Sequence, residues 1–245
     1  VVNIDKMRAA GRAAAETLAY VANLVKPGMT TNDIDRLVHN DTIRRGGKPA
    51  PLNYRGFPKS CCTSPNDVVC HGIPDKTVLK EGDIVNIDVT TILDGHFGDC
   101  NATICVGKVS DDVMRFVAAT AMAMWAGIHA IKPGVKLGEV GKAVEAYAKV
   151  NGYTVVREFG GHGIGRRFHD RPHVNHFAND EGPVLVPGMI FTVEPMLCMG
   201  SPEIKIDMGD LWTVRTVDGS WSAQFENTCL VTENGVEVLT RCDDE

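Results

Sequence analysis

Leu79-Lys80-Glu81-Gly82-Asp83-Ile84-Val85-Asn86-Ile87-Asp88 is answered 106 residues later by Leu185-Val186-Pro187-Gly188-Met189-Ile190-Phe191-Thr192-Val193-Glu194. Lys26-Pro27-Gly28-Met29 matches Lys132-Pro133-Gly134-Val135 at the same offset. Two matches at one offset mark an internal repeat, spanning about residues 5–106 and 111–232. Each repeat opens with an Ala- and Met-rich stretch of helix formers, residues 5–25 and 111–131, closed by the Lys-Pro-Gly stop. A second helix is expected from Thr31-Asn32-Asp33 in the first half and from Leu137-Gly138-Glu139 in the second. Later in each half apolar and polar residues alternate and Val and Ile are enriched, which is the pattern of a half-buried strand. Helix, helix, strands, twice over, predicts an α+β fold: two pseudo-symmetric halves, a curved and mostly antiparallel sheet, and helices on its outer face. The cleft between the halves is the natural place for chemistry.

The chain has 245 residues, 44% hydrophobic and 23% charged, enough for one large core, and a single catalytic domain over residues 1–245 is expected. A net charge of -6 gives no general attraction to nucleic acid or anionic lipid, and Arg166-Arg167 is read as a solvated face. No apolar run approaches the roughly 20 residues of a membrane span, and the start Val1-Val2-Asn3 has no signal pattern, so a cytoplasmic protein is expected. Val1 stands where an initiator Met would, as in a processed or trimmed chain. Eight cysteines occur without one C-x-x-C pair, so buried apolar thiols are expected rather than a zinc cluster.

In Val85-Asn86-Ile87-Asp88-Val89 the polar residues are even-numbered, so Asp88 shares a sheet face with Asn86 and Thr90. The repeat aims Glu194 the same way, beside Thr192. Strand parity also puts Asp99 on one face with Asn101 and Thr103, and Glu226 is expected inside a strand over Gln224-Phe225-Glu226-Asn227-Thr228. Any one of these acids alone could simply face water. Four carboxylates converging on one cleft cannot all stay ionised without cations, because repulsion and desolvation raise their pKa values. Such a carboxylate-rich set suits a pair of divalent ions, Mn, Fe, Co or Zn.

Gly160-Gly161-His162-Gly163-Ile164-Gly165 offers the nitrogen ligand, His162, on a glycine-rich bend. It lacks the spacing of a dinucleotide loop, and no apolar helix follows it. His71 and His169 lie in loop-like sequence near the strands of the site. Cys70 beside His71 is a poor cysteine-hydrolase pair, since adjacent residues rarely face one substrate.

Taken together, Asn53-Tyr54-Arg55-Gly56-Phe57-Pro58-Lys59-Ser60-Cys61-Cys62, Val69-Cys70-His71-Gly72-Ile73-Pro74, Gly161-His162-Gly163-Ile164-Gly165 and Phe191-Thr192-Val193-Glu194-Pro195-Met196 resemble the type 1 methionine aminopeptidases, of the pita-bread fold, over essentially the whole chain. The resemblance implies removal of an N-terminal Met from polypeptides with a small second residue, by attack of a metal-bridging hydroxide on the scissile carbonyl. It places the five ligands of two divalent metal ions on Asp88, Asp99, His162, Glu194 and Glu226. It makes Glu194 the proton shuttle, sets His169 at the carbonyl oxygen and His71 at the scissile amide, and lines the methionine pocket with Tyr54, Phe57, Cys62, Phe168 and Trp212. A monomer is implied, with ribosome contact left open.

Asn227 stands where bacterial relatives commonly have His, and Cys61-Cys62 with Lys48-Pro49-Ala50-Pro51 leans toward the eukaryotic branch. Prolidase and aminopeptidase P carry a large extra N-terminal domain for which this chain has no room. The helical insertion of type 2 enzymes does not fit either, with 32 residues from His162 to Glu194 and 32 more to Glu226. A binding-only relative would have lost ligands, and all five are kept.

Overall fold

A computed structural model describes residues 2–242; Val1 and residues 243–245, the outermost positions of the expected domain, lie outside the described residues. The first half runs α1 (Ile4–Ala22), α2 (Thr31–Arg44), β1 (Lys48–Pro49), β2 (Cys62–Pro65), β3 (Val68–Cys70), β4 (Ile84–Leu93) and β5 (His96–Cys105), with a 3-10 turn at Tyr54–Gly56. The second runs α3 (Asp111–His129), α4 (Gly138–Val150), β6 (Thr154–Val155), β7 (Gly161–Gly163), β8 (Asp170–Val174), β9 (Ile190–Val193), β10 (Met196–Cys198), β11 (Ile204–Ile206), β12 (Val214–Thr216), β13 (Ser222–Gln224), β14 (Asn227–Val231) and β15 (Val236–Val238).

The repeat visible in the letters is also a repeat in hydrogen bonds. Gly28 and Gly134 turn the chain with φ of 91° and 89°, a left-handed backbone that glycine adopts without a Cβ clash. The Gly28 amide then donates to the Leu79 carbonyl, and the Gly134 amide to that of Leu185, both at 2.8 Å. Thr31 donates to Thr77 and Leu137 to Pro183, both at 3.0 Å. Each Lys-Pro-Gly stop is thus tied to the start of its own strand segment, so the letters recur because the same turn is built twice.

Helix α1 buries Met7, Ala10, Ala14, Leu18 and Val21, at three- and four-residue spacing, and lies on β4 and β5. Gly98 of β5 permits that approach, since a Cβ there would run into the Ala10 carbonyl. Ile34 of α2 packs with Val85, Ile87 and Val89 of β4 in the first core; Ile128 of α3 and Val140 of α4 pack with Phe191 and Val193 of β9 in the second.

Every strand pairing among the described residues is antiparallel. β4 pairs with β1, β2 and β5, while β15, β14, β9, β7 and β8 make the five-stranded sheet of the second half. The halves meet where Asn101 bridges Glu226, with the Glu226 amide donating to the Asn101 carbonyl at 3.0 Å.

At this seam the expected strand through Glu226 is corrected. β13 ends at Gln224 and pairs with β10; β14 begins at Asn227 and pairs with β9. Phe225 and Glu226 occupy the switch between the two partners. Glu194 occupies the matching switch between β9 and β10, followed by Pro195, which has no N–H to continue a ladder. Breaks of this kind re-aim side chains, and both second-half glutamates stand at one.

Candidate active site

Asp88 sits in the middle of β4, opposite Cys62 on one side and Asn101 on the other. On β5, Asp99 lies opposite Thr90, whose hydroxyl donates to Asp99 Oδ1 at 2.7 Å. An amide relay runs across the seam: Asn86 Nδ2 donates to Asn101 Oδ1 at 2.9 Å, and Asn101 Nδ2 to Glu226 Oε2 at 2.7 Å. Glu194 accepts from Thr192 Oγ1 at 2.6 Å and from Gln224 Nε2 at 3.2 Å. His162 lies on β7 with Nδ1 3.1 Å from the Gly163 carbonyl, so Nδ1 carries the donated proton. That leaves Nε2 turned to the acids, 3.6 Å from both Asp99 Oδ2 and Glu194 Oε1.

Ligand-type atoms of Asp99, His162 and Glu226 all fall within 4.8 Å of one another. Two carboxylate oxygens beside them, Asp88 Oδ1 and Glu226 Oε1, are buried without a hydrogen-bond partner among the described residues. A buried carboxylate oxygen left unpaired is costly, and a divalent cation held by oxygen and imidazole donors removes that cost. The donor set therefore fits metal.

The electrostatics agree. Burial, then the charges of Asp99 and Glu194, push the Asp88 carboxyl well above the usual carboxylate range. Burial, then Asp99, does the same to Glu226. Burial raises Glu194 to about 7, partly countered by His162. For His162, burial works against the charge, but Asp99 and Glu194 outweigh it and its pKa rises to about 9. Without a cation, burial and mutual repulsion press Asp88 and Glu226 toward the protonated form, while the neighbouring acids favour a charged His162.

Above the acids opens a cavity of about 610 Å³, lined by every candidate ligand, catalytic and pocket residue named from the sequence. Asp88, Asp99, His162, Glu194 and Glu226 lie on it together with Tyr54, Phe57, Cys62, Phe168 and Trp212. Phe57 and Trp212 meet edge to face at 5.2 Å, and Tyr54 packs on Phe168 at 4.8 Å. His71 and His169 complete the lining, and burial lowers each of their pKa values to about 4, His169 being lowered further by the charge on His162. His71 has a left-handed backbone, φ 56°, and its ring meets the edges of Phe159 and Trp212. A non-glycine residue in that region stores strain that a site can hold for function.

The groups that hold the acids carry little local signal in the sequence. Asn101, Thr90 and Thr192 were placed on the right faces by parity but given no role; Gln224, two residues before Glu226, carried the same signal. His176, fully buried, accepts the Glu194 amide on Nε2 at 3.0 Å and had no local signal at all.

The sequence model of metallopeptidase family M24 matches residues 5–233. The methionine aminopeptidase of Rickettsia prowazekii is 52% identical over 236 residues, covering 96% of this chain and 91% of that protein. Methionine aminopeptidase 2 of Mycobacterium tuberculosis is 49% identical, covering 97% and 83%. The crystal structure of the Rickettsia prowazekii methionine aminopeptidase aligns with a TM-score of 0.96 at 49% identity, over 98% of this chain and 99% of that one. These relatives are bacterial and lend no support to the eukaryotic lean. With its pita-bread architecture and these matches, the chain belongs to metallopeptidase family M24.

Proposed function

We propose that this chain is a methionine aminopeptidase that frees the N-terminal Met of polypeptides, preferring a small second residue. The carrying observation is the pairing of two unpartnered buried carboxylate oxygens, Asp88 Oδ1 and Glu226 Oε1, with an aromatic- and sulfur-lined wall in one cavity. Asp88, Asp99, His162, Glu194 and Glu226 would hold two divalent ions, of Co, Mn, Fe or Zn. When bound, such ions supply Lewis acidity and acidify water.

The chain's own residues do the rest. Tyr54, Phe57, Cys62, Phe168 and Trp212 take the unbranched thioether, which packs well on aromatic edges and soft sulfur. Glu194, oriented by Thr192 and Gln224, accepts the proton of the attacking water and returns it to the leaving amine. His169 donates to the carbonyl oxygen as negative charge develops there, and His71 contacts the scissile amide. The same reading takes residues 1–245 as one catalytic domain and the protein as a cytoplasmic monomer, with ribosome contact left open.

Protein purified without added metal is analysed for bound ions, then loaded and offered Met-Ala-Ser and Leu-Ala-Ser. Release of Met with a higher kcat/KM than Leu is expected. No release by the loaded protein, or a preference for Leu, would overturn the proposal.

A further inference from the structure

Tyr54 enters the proposed function as one wall of the methionine pocket, yet its hydroxyl points elsewhere. It lies 3.0 Å from Nδ1 of His169, and neither it nor Nε2 of His169 has another hydrogen-bond partner among the described residues. The two rings are stacked, 5.4 Å apart at 27°, and both contact Phe168. The flanking backbone is held in an unusual shape for this contact: Asn53 and Arg55 are both left-handed, with φ of 66° and 49°. Such strain persists only where the surroundings over-determine it.

The direction of the bond follows from chemistry. A neutral imidazole has one N–H and one acceptor nitrogen, and the bond made at one nitrogen decides where the proton sits. A phenol is a better donor than acceptor, because its oxygen lone pair is delocalised into the ring. The Arg55 guanidinium, 5.3 Å from the centre of the Tyr54 ring, draws further on that electron density.

We propose that Tyr54 is a positioning residue: its O–H donates to Nδ1 of His169, fixes the Nε2–H tautomer, and presents that N–H to the cavity as a ready donor. His71 differs, being held by the aromatic edges of Phe159 and Trp212 with no hydrogen bond among the described residues. That the acceptor met by Nε2–H is a scissile carbonyl rests on the proposed aminopeptidase function.

Tyr54→Phe keeps the pocket ring and removes only the hydroxyl. In the metal-loaded enzyme, kcat on Met-Ala-Ser is expected to fall about tenfold, the worth of one ordinary hydrogen bond, with KM changed less than about twofold. Nitrogen-15 spectra should show His169 as the Nε2–H tautomer in the wild type and as a tautomer mixture in the variant. An unchanged kcat, a loss carried by KM alone, or an Nδ1–H tautomer in the wild type would each overturn the assignment. Should the variant fail to fold, the wild-type tautomer decides alone. Should the loaded wild type release no Met, the aminopeptidase reading fails while the tautomer shift still tests Tyr54.

Discussion

Asp88 and Glu194 hold equivalent places in the two repeats, and the protein treats them differently. In the second half, Thr192 and Gln224 both donate to Glu194. At the place of Thr192 the first half has Asn86, whose amide turns away to Asn101 and to the Gln224 carbonyl. Asp88 Oδ1 is left unpartnered. At this equivalent pair the second half orients Glu194 with protein donors, while the first leaves an oxygen of Asp88 open to a cation; Asp99, by contrast, is held by Thr90. His162 also comes from the second half alone. If the site holds two ions as proposed, these differences make their positions unequal, which suits the proposed division between one acid that moves protons and others that only bind.

The sharpest way to break this contrast is to compare Asp88→Asn with Thr192→Val. Removing a ligand charge should cost kcat/KM at least about a thousandfold, the several kcal/mol that metal electrostatics supplies. Removing the hydroxyl that orients Glu194 should cost roughly ten- to a hundredfold, as for other partners that orient ligands. Metal content separates the two further: Asp88→Asn should lose metal and Thr192→Val should keep most of it. Equal losses in kinetics and metal would mean that the two halves treat their acids alike.

A smaller effect is expected on the stability of the metal-free protein. His162 has its pKa raised from 6.5 to about 9, so between those values the folded state holds a proton that the unfolded state has released. Stability therefore falls as pH rises through that window. Asp88 and Glu226, also raised, act in the same direction. The lowered His71, His169 and His176 act the other way, but only below about pH 6.5, where the unfolded chain gains their protons. Between pH 6.5 and 8.5, melting of chelated protein should move steadily downward, and added metal should flatten the slope. A flat profile for the chelated protein would count against a cation at His162 in the metal-free site.

Much of this contrast was legible in advance, and the limits of that legibility are physical. The long helices were expected over residues 5–25 and 111–131 and lie at Ile4–Ala22 and Asp111–His129, because helix formers and a Lys-Pro-Gly stop are local signals. Parity put Asp88 with Asn86 and Asp99 with Asn101, since strand period is also local. Parity names a face, but not who stands across from it. Asn101 holds Glu226 from 125 residues away and Tyr54 meets His169 across 115, contacts that only the assembled sheets create. The break at Glu226 was missed for the same reason: residues 224–228 read as one strand, and the change of partner from β10 to β9 belongs to the opposite chain.

The last and smallest difference lies far from the acids, at the helices that follow the two turns. α2 starts with a capping box in which the Thr30 hydroxyl accepts from the Asp33 amide at 3.1 Å and the Asp33 carboxylate accepts from that of Thr30 at 2.9 Å. α4, with Leu137 at its N-cap, has no side-chain cap, although the chain before each strand segment offers equivalent main-chain acceptors: the Asn32 amide donates to the Asp75 carbonyl and the Gly138 amide to the Glu181 carbonyl. The main-chain part of the cap is therefore common to both halves, and the side-chain part belongs to the first. Thr30→Ala should bring α2 to the condition of α4 and lower the melting temperature by roughly 2–4 °C, the usual effect of one lost cap in a chain of this size. Lys136→Thr, at the repeat-equivalent place and three residues before Glu139, should raise it by less, because Glu139 must first leave its 2.8 Å contact with Lys142. If Thr30→Ala left melting unchanged, the main-chain acceptors alone would account for both helix starts, and the two halves would be equivalent here after all.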